Sequence, residues 1–294
     1  MLPSTADHDF AARPECSAAE VELAGPASVA WKINAERVAL LGWGRAILLQ
    51  FAHPLVAAGV AEHSHFAREP LGRLRRFERT LGAMLALTFG TPEEVLATGR
   101  HIDGIHGRVR GTLKAAVGPF AAGTPYFARD PRLLRWVHAT TIDSLLRVYQ
   151  LYIGPLSAAE QDRYCAEATG MAPLLRIPDG YLPSTVADLR RYLTEMLASG
   201  EIVVGDTARG LAAELLRPLG PPFLRPLEGL LQLPMIGLLP PAVRAGYGFR
   251  WTPRQAAALR RSAALSRRVL PRLPARLRHW PAARAARRRY RCTP

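Results

Sequence analysis

The sequence predicts an all-α fold built as a single helical domain, and three observations support this prediction. Ala, Leu and Arg dominate the composition, whereas the alternating Val- and Ile-rich runs typical of strands are scarce. Apolar residues recur at helical spacing along most of the chain. Capping residues and prolines mark the starts of several of these segments. With 294 residues and 49% apolar side chains, the chain can bury a substantial core.

The predicted helices follow one another with short connections. An irregular arm over residues 1–27 precedes them, and a polar turn over 64–70 separates the first two. Helices are predicted over residues 29–61, 71–88, 92–110, 130–153, 184–199, 205–216 and 252–269. The first is expected to break at Pro54, and a further helix is expected to begin after Ser157. Pro-rich stretches over 217–226 and 234–241 separate the closing helices.

Three helix starts are predicted with a physical reason. Thr91 and Asp130 are capping residues, and each precedes a proline, which fits the first helical position because its missing N–H has no partner there. Ser157 and Glu160 have the spacing of a capping box. No internal repeat or low-complexity linker divides the chain. We therefore expect one helical domain over residues 28–270 and a basic extension over 271–294.

The net charge of +15 is concentrated at the C-terminal end. Basic and acidic side chains cancel up to Glu228, after which 15 arginines follow with no acid. Three interpretations stay open: a solvated tail, attraction to an anionic membrane surface, and attraction to nucleic acid. Nucleic acid is the least favoured because no aromatic-and-basic recognition module accompanies the arginines. Prolines at 271, 274 and 281 should break any long basic helix.

The chain shows no features of an exported or membrane-spanning protein. The longest apolar stretch, residues 46–61, is interrupted by Gln50, His53 and Pro54 and is too short for a span. The first residues lack the pattern of a signal peptide. The three cysteines are far apart and odd in number, which indicates neither a disulfide framework nor a zinc module. We expect a cytoplasmic protein, with contact to the inner face of the membrane left open.

The histidines exclude the common metal motifs. The chain contains no His-Glu-x-x-His and no Cys-x-x-Cys. A carboxylate-bridged di-iron bundle needs two Glu-x-x-His pairs, and the sequence offers one loose match, Asp103 with His106. Both kinds of site are therefore disfavoured.

His138 lies in the middle of an apolar face of its predicted helix. An imidazole in such a place needs a hydrogen-bond partner or a metal. It can be a core histidine bonded to a backbone carbonyl, or the proximal ligand of a haem, which needs one neutral imidazole walled by apolar side chains. The face consists of Leu134, Val137, Thr141, Ile142, Leu145 and Tyr149.

A second cluster follows His106 and contains Arg108, Arg110 and Thr112. Arginines at a helix end can simply complement the helix dipole. They can also pair with the carboxylates of haem propionates. The residue pattern leaves both interpretations open.

Three segments together resemble the family of haem oxygenases that includes rubber oxygenase (latex-clearing protein) and the endoplasmic-reticulum-bound oxygenase of mycophenolic acid biosynthesis. They are residues 31–66, with the run AHPLVAAGVAEHS, the cluster from His106 to Thr112, and the helix WVHATTIDSLLRVY at 136–149. The resemblance covers about residues 30–280. It implies a globin-like core, one haem b with iron, and oxidative cleavage or oxygenation of an olefinic, isoprenoid-like small molecule by dioxygen.

The resemblance also implies roles for individual residues. His138 takes the position of the proximal iron ligand, and Arg108 that of the candidate catalytic residue on the distal side. The cofactor-binding candidates are His138, Arg108, Arg110, Thr112, His106, Arg45, His53 and His63. The nearest acids to a family catalytic base are Glu93 and Glu94.

The chain departs from the family pattern at two positions. Gly111 stands where the family has a lysine that can occupy the sixth iron position, so His106, His53 or His63 become the candidates for that side. Ile142 stands where an arginine follows the proximal histidine.

The alternative function is a non-enzymatic helical protein that docks on anionic membranes or partners through its Arg-rich C-terminus.

Overall fold

A computed structural model describes residues 25–63, 72–218, 223 and 225–292. Within this part of the chain the regular structure is almost entirely helical, with one two-stranded sheet. The all-α prediction is therefore confirmed, whereas the globin-like core stays a prediction. The expected arm up to residue 24 and the expected polar turn over 64–70 lie outside the described residues.

The N-terminal half contains α1 (Val29–Asn34), α2 (Leu40–Phe51), α3 (Pro54–His63), α4 (Gly72–Phe89), α5 (Pro92–His106), β1 (Arg110–Thr112) and β2 (Pro125–Phe127). The rest contains α6 (Pro131–Tyr152), α7 (Ala158–Ala168), α8 (Val186–Ala198), α9 (Asp206–Leu216), α10 (Arg225–Gly237), α11 (Pro241–Gly246), α12 (Pro253–Val269), α13 (Ala275–Arg278) and α14 (Pro281–Cys292).

The expected break at Pro54 is a sharp corner. The segments Arg37–Phe51 and Pro54–His63 meet at 105°. Among the described residues, no single helix is long and apolar enough to cross a bilayer. The two segments of this bent pair reach the length and apolar composition of a span only when they are counted together.

Helix α6 lies at the centre of the main core. Most of its length is buried, including Trp136, and it packs along α2 as well as against α8 and α12. Helices α2 and α6 approach closely at Gly42, where a Cβ atom would lie 3.0 Å from the backbone oxygen of Ser144. Burying the long apolar face of α6 against several helices supplies a large part of the driving force for folding.

Two predicted boundaries are wrong. Helix α5 ends at His106 rather than near Arg110, because Gly107 is a poor helix former and residues 110–112 pair instead with residues 125–127 in an antiparallel ladder. Pro234 does not lie in a separating loop, because it falls inside α10.

The prolines do interrupt the basic C-terminal segment as predicted. Pro271 lies in a short 3-10 turn, and helices α13 and α14 follow separately. Helix α14 is packed on the protein body, since Ala283 and Ala286 are buried in a small cluster with Trp31 and Phe89. The backbone N–H of Trp280 also donates to the carbonyl of Ala35 at 3.0 Å.

Candidate functional site

His138 is buried on α6, and only one of its ring nitrogens is paired. Its Nε2–H donates to the backbone carbonyl of Ala168, at the end of α7, over 3.1 Å. Its Nδ1 is buried and has no hydrogen-bond partner within the described part of the chain. Burial lowers the pKa of the imidazole to about 4, against the opposing effect of the Ala168 hydrogen bond, so the ring is neutral at pH 7.

This geometry shows the first of the two roles that the sequence left open, a core histidine bonded to a backbone carbonyl. The bond to a backbone carbonyl is present, but it leaves the lone pair of Nδ1 unused. A buried acceptor without a partner costs about 1–3 kcal/mol. Metal-binding histidines have this arrangement, in which one N–H is fixed by a carbonyl while the other nitrogen binds the metal. His138 therefore keeps a buried lone pair on Nδ1 that has no partner among the described residues.

The turn that follows α7 connects the surroundings of His138 to α5. Leu134, one helical turn before His138, packs in a buried cluster with Ala172 and Ile177 of that turn. Arg176, in the same turn, donates from Nε to Asp103 of α5 over 3.0 Å. The histidine and the end of α5 are thus linked through one short segment.

Asp103 anchors this link. Arg129 binds both of its carboxylate oxygens at 2.8 and 2.7 Å, in addition to the contact from Arg176. Arg176 has a left-handed backbone with φ of 56°, the only non-glycine residue with positive φ among those the structure describes. Such a conformation costs about 1–3 kcal/mol and persists where surrounding contacts enforce it. Here the ion pair with Asp103 is such a contact.

The predicted cluster after His106 is on the surface. Arg108, Arg110 and Thr112 are exposed, and within the described residues neither guanidinium has a hydrogen-bond or ion-pair partner. His106 is partly buried at the end of α5, and burial lowers its pKa. No hydrogen bond among the described residues joins these side chains to His138.

Gly111 lies directly beneath a tyrosine–glutamate pair. Tyr126 of β2 faces Gly111 across the ladder, and its hydroxyl donates to the carboxylate of Glu62 on α3. Lys114 contacts the other Glu62 oxygen at 3.2 Å, and His63 bonds the carbonyl of Arg110 over 3.2 Å. Burial raises the pKa of Tyr126, which therefore stays protonated. The pair fills the space that a side chain at position 111 would enter.

Substituting Gly111 with alanine should destabilise the protein by about 1–3 kcal/mol. The new Cβ would lie 2.5 Å from the Tyr126 hydroxyl, which is at the end of a rigid, buried ring. Adding Tyr126→Phe removes that oxygen atom and should recover part of the loss in G111A. Urea unfolding of G111A, Y126F and the double variant measures the coupling. Strictly additive effects would contradict this packing.

Arg45 and His53 are engaged with protein groups. Arg45 pairs with Asp143 at 2.9 Å and donates to Ser144 and to the carbonyl of Leu238. His53, at the corner between α2 and α3, accepts the Leu55 N–H on Nδ1. Burial lowers its pKa to about 4. Arg45 thus connects α2 to α6 and to the residue after α10.

The remaining candidates have local roles. Glu94 closes the capping box of α5 with Thr91, and Glu93 is exposed on the same turn. Ile142 packs in the main core, which leaves no space for an arginine there without rearrangement. Within the part of the chain that the structure describes, no three His, Cys, Asp or Glu side chains come together as a metal site.

Sequence reasoning missed Glu62, Tyr126 and Arg176 as members of this region. Glu62 could have been identified from the sequence, since it belongs to the AHPLVAAGVAEHS run. Tyr126 and Arg176 carry no local signal, because their roles depend on partners distant along the chain.

Comparison with known proteins gives one match. Residues 31–268 match the family described as ER-bound oxygenase mpaB/B'/Rubber oxygenase, catalytic domain. No curated protein and no solved structure matches the chain.

Proposed function

We propose that this chain, which belongs to the family of ER-bound oxygenase mpaB/B' and rubber oxygenase catalytic domains, is a haem b-dependent oxygenase. The family match covers most of the chain and makes it an oxygenase-type enzyme that acts on a small molecule with dioxygen. The proposed substrate is an olefinic, isoprenoid-like compound, and the proposed location is the cytoplasm.

The observation that carries the haem proposal is the unpaired, buried Nδ1 of His138. The ring is neutral, and its other nitrogen is already bonded to Ala168, so a lone pair is available to iron. Because the ring is enclosed in this conformation, neighbouring side chains must move to admit a porphyrin. The donor chemistry at the proximal position fits iron, but Nδ1 lies beside the Cβ atom of an enclosed ring, so a porphyrin binds there only after the ring and its neighbours rearrange.

When bound, haem iron supplies the dioxygen chemistry that protein side chains lack. The chain supplies the rest. The Ala168 carbonyl fixes the orientation of His138 and raises its basicity as a ligand. Core residues around α6 keep water away from it. The roles proposed for Arg110 and Thr112 as propionate ligands and for Arg108 as the candidate catalytic residue rest on the family resemblance, because these exposed side chains make no hydrogen bond with His138 in the described part of the chain.

An absorption spectrum tests this function. The protein is expressed with a haem precursor, purified and measured before and after reduction with dithionite. We expect a Soret band, a shift of that band on reduction, and close to one iron per chain. A folded protein that shows no Soret band, even after incubation with haemin, would contradict haem dependence.

A second candidate function is non-enzymatic docking on anionic membranes. It is favoured by the acid-free sequence after Glu228 with its 15 arginines. The non-enzymatic function predicts a protein without porphyrin absorption, so the same spectrum separates the two functions. Membrane docking by itself does not separate them, because an oxygenase can dock as well.

A further inference from the structure

Helix α10 and Phe223, two residues before its start, expose a stripe of large apolar side chains. The exposed fractions are 78% for Phe223, 53% for Leu227, 43% for Leu230 and 45% for Leu231. The spacing of Leu227, Leu230 and Leu231 places these three side chains on one side of α10. Large apolar side chains that cluster on a surface in this way mark an interaction site more often than chance.

The C-terminal part of α10 is well packed, whereas most described residues over 225–231 are exposed. Further along α10, Met235 lies so close to Gly44 of α2 that a Cβ on Gly44 would be 2.6 Å from its sulfur. Leu233 packs with Trp251 and Leu259, and Pro234 is fully buried. The C-terminal part of α10 is therefore fixed in the protein, while the exposed leucines lie in its N-terminal part.

Helix α12, which packs against α10, presents a similar surface. Leu265 and Val269 are exposed, and the exposed arginines Arg261 and Arg268 lie beside them at helical spacing. Leu277 of α13 is also exposed. Arginines next to exposed leucines are typical of surfaces that enter a lipid interface, because the long side chain reaches the head groups while its stem stays apolar.

The charge around these helices selects the partner. No acidic residue follows Glu228, so the arginines of α12, α13 and α14 have no acidic neighbour in this part of the chain, and Arg278 pairs instead with Glu36 at 2.9 Å. In the first 228 residues basic and acidic side chains are equal in number. The excess positive charge thus begins within α10, after the first two of the four stripe residues, and extends over α12, α13 and α14.

We propose that the α10 stripe and the arginine-flanked face of α12 dock on an anionic lipid bilayer. The leucines enter the interface and the arginines bind lipid phosphates. This assignment rests on the surface alone and stands whether or not the chain binds haem. If it does, docking places an oxygenase for apolar substrates where such substrates dissolve.

Sedimentation with vesicles tests the proposal. The full chain is mixed with vesicles of phosphatidylcholine that contain about 30% phosphatidylglycerol, and with phosphatidylcholine alone, at about 0.1 M and about 0.5 M salt. We expect binding to the anionic vesicles that falls with salt, and little binding to the neutral ones. Equal binding to both, or binding to neither, would overturn the proposal.

Two double variants separate the apolar and the charged contributions. L227Q/L231Q should lower the partition coefficient on anionic vesicles by about 10-fold or more, because half-exposed leucines no longer enter the interface. R261Q/R268Q should lower it about 30-fold and reduce the salt dependence. Matched controls, I105Q/L197Q for exposed apolar residues and R100Q/R190Q for exposed arginines, should bind as the unchanged protein does.

Other occupants give different results. If a second copy of the chain covers the stripe, sedimentation velocity shows a dimer that L227Q/L231Q converts to a monomer, and anionic vesicles are not bound. If nucleic acid is the partner, a DNA duplex binds and R261Q/R268Q releases it, while L227Q/L231Q has no effect. Either result would overturn membrane docking.

Discussion

Replacing His138 with alanine should lower the haem content of the purified protein by at least about 10-fold. The side chain provides the one buried, unpaired nitrogen at this position, and alanine leaves no ligand in its place. Haem content is measured as pyridine haemochrome per chain, together with the Soret absorbance. A cavity is also left, so added imidazole should enter it and restore the Soret band of H138A.

The matched control is His101→Ala. His101 is exposed on α5, and its replacement should leave both haem content and stability unchanged. Circular dichroism of H138A establishes that the helices remain. If H138A retains full haem content, His138 is not the ligand, even if the protein proves to be a haem oxygenase. If H101A loses haem to the same extent as H138A, the assay does not report ligation.

Replacing Asp143 with alanine should reduce the free energy of unfolding by about 3–5 kcal/mol. Asp143 is the counter-ion of Arg45, whose side chain is only 3% exposed, so the variant leaves a buried guanidinium without its charge partner. Arg147 also pairs with Asp143, but its side chain is half exposed and can turn to water. Guanidinium chloride unfolding measures the loss.

Two further variants test this explanation. Asp188→Ala breaks a pair with Arg191 on the surface and a hydrogen bond from the Thr185 hydroxyl, and it should cost only about 1–2 kcal/mol, because solvent screens exposed pairs. The double variant R45M/D143L removes both buried charges and should be more stable than D143A. A loss in D143A no larger than that in D188A would show that the buried pair contributes little.

The helices of this protein are largely encoded by short-range features. The starts of α5, α7 and α12 follow capping residues that bond within three positions, as Thr91, Ser157 and Thr252 do. Helix α6 begins after Asp130 and ends within one residue of the predicted position. Such bonds join neighbours along the chain, so they can be predicted from the sequence without tertiary information.

The errors arose where distant segments compete with local preference. Residues 110–112 continue a helical pattern, yet they pair with residues 125–127, which local periodicity does not reveal. The same pairing brings Tyr126 over Gly111 and next to Glu62. The absence of a side chain at position 111 is visible in the sequence, but the hydroxyl that fills the space is not.

His138 shows where the two sources of information divide. Periodicity and composition decided that this imidazole lies on the buried face of a long helix, because amphipathicity is a property of neighbouring residues. The hydrogen-bond partners of the two ring nitrogens depend on the tertiary path of the chain around the ring. The end of α7 brings the Ala168 carbonyl to Nε2 and leaves Nδ1 without a partner. A hydrogen bond requires two groups within about 3 Å, and only packing sets that distance for residues far apart in sequence.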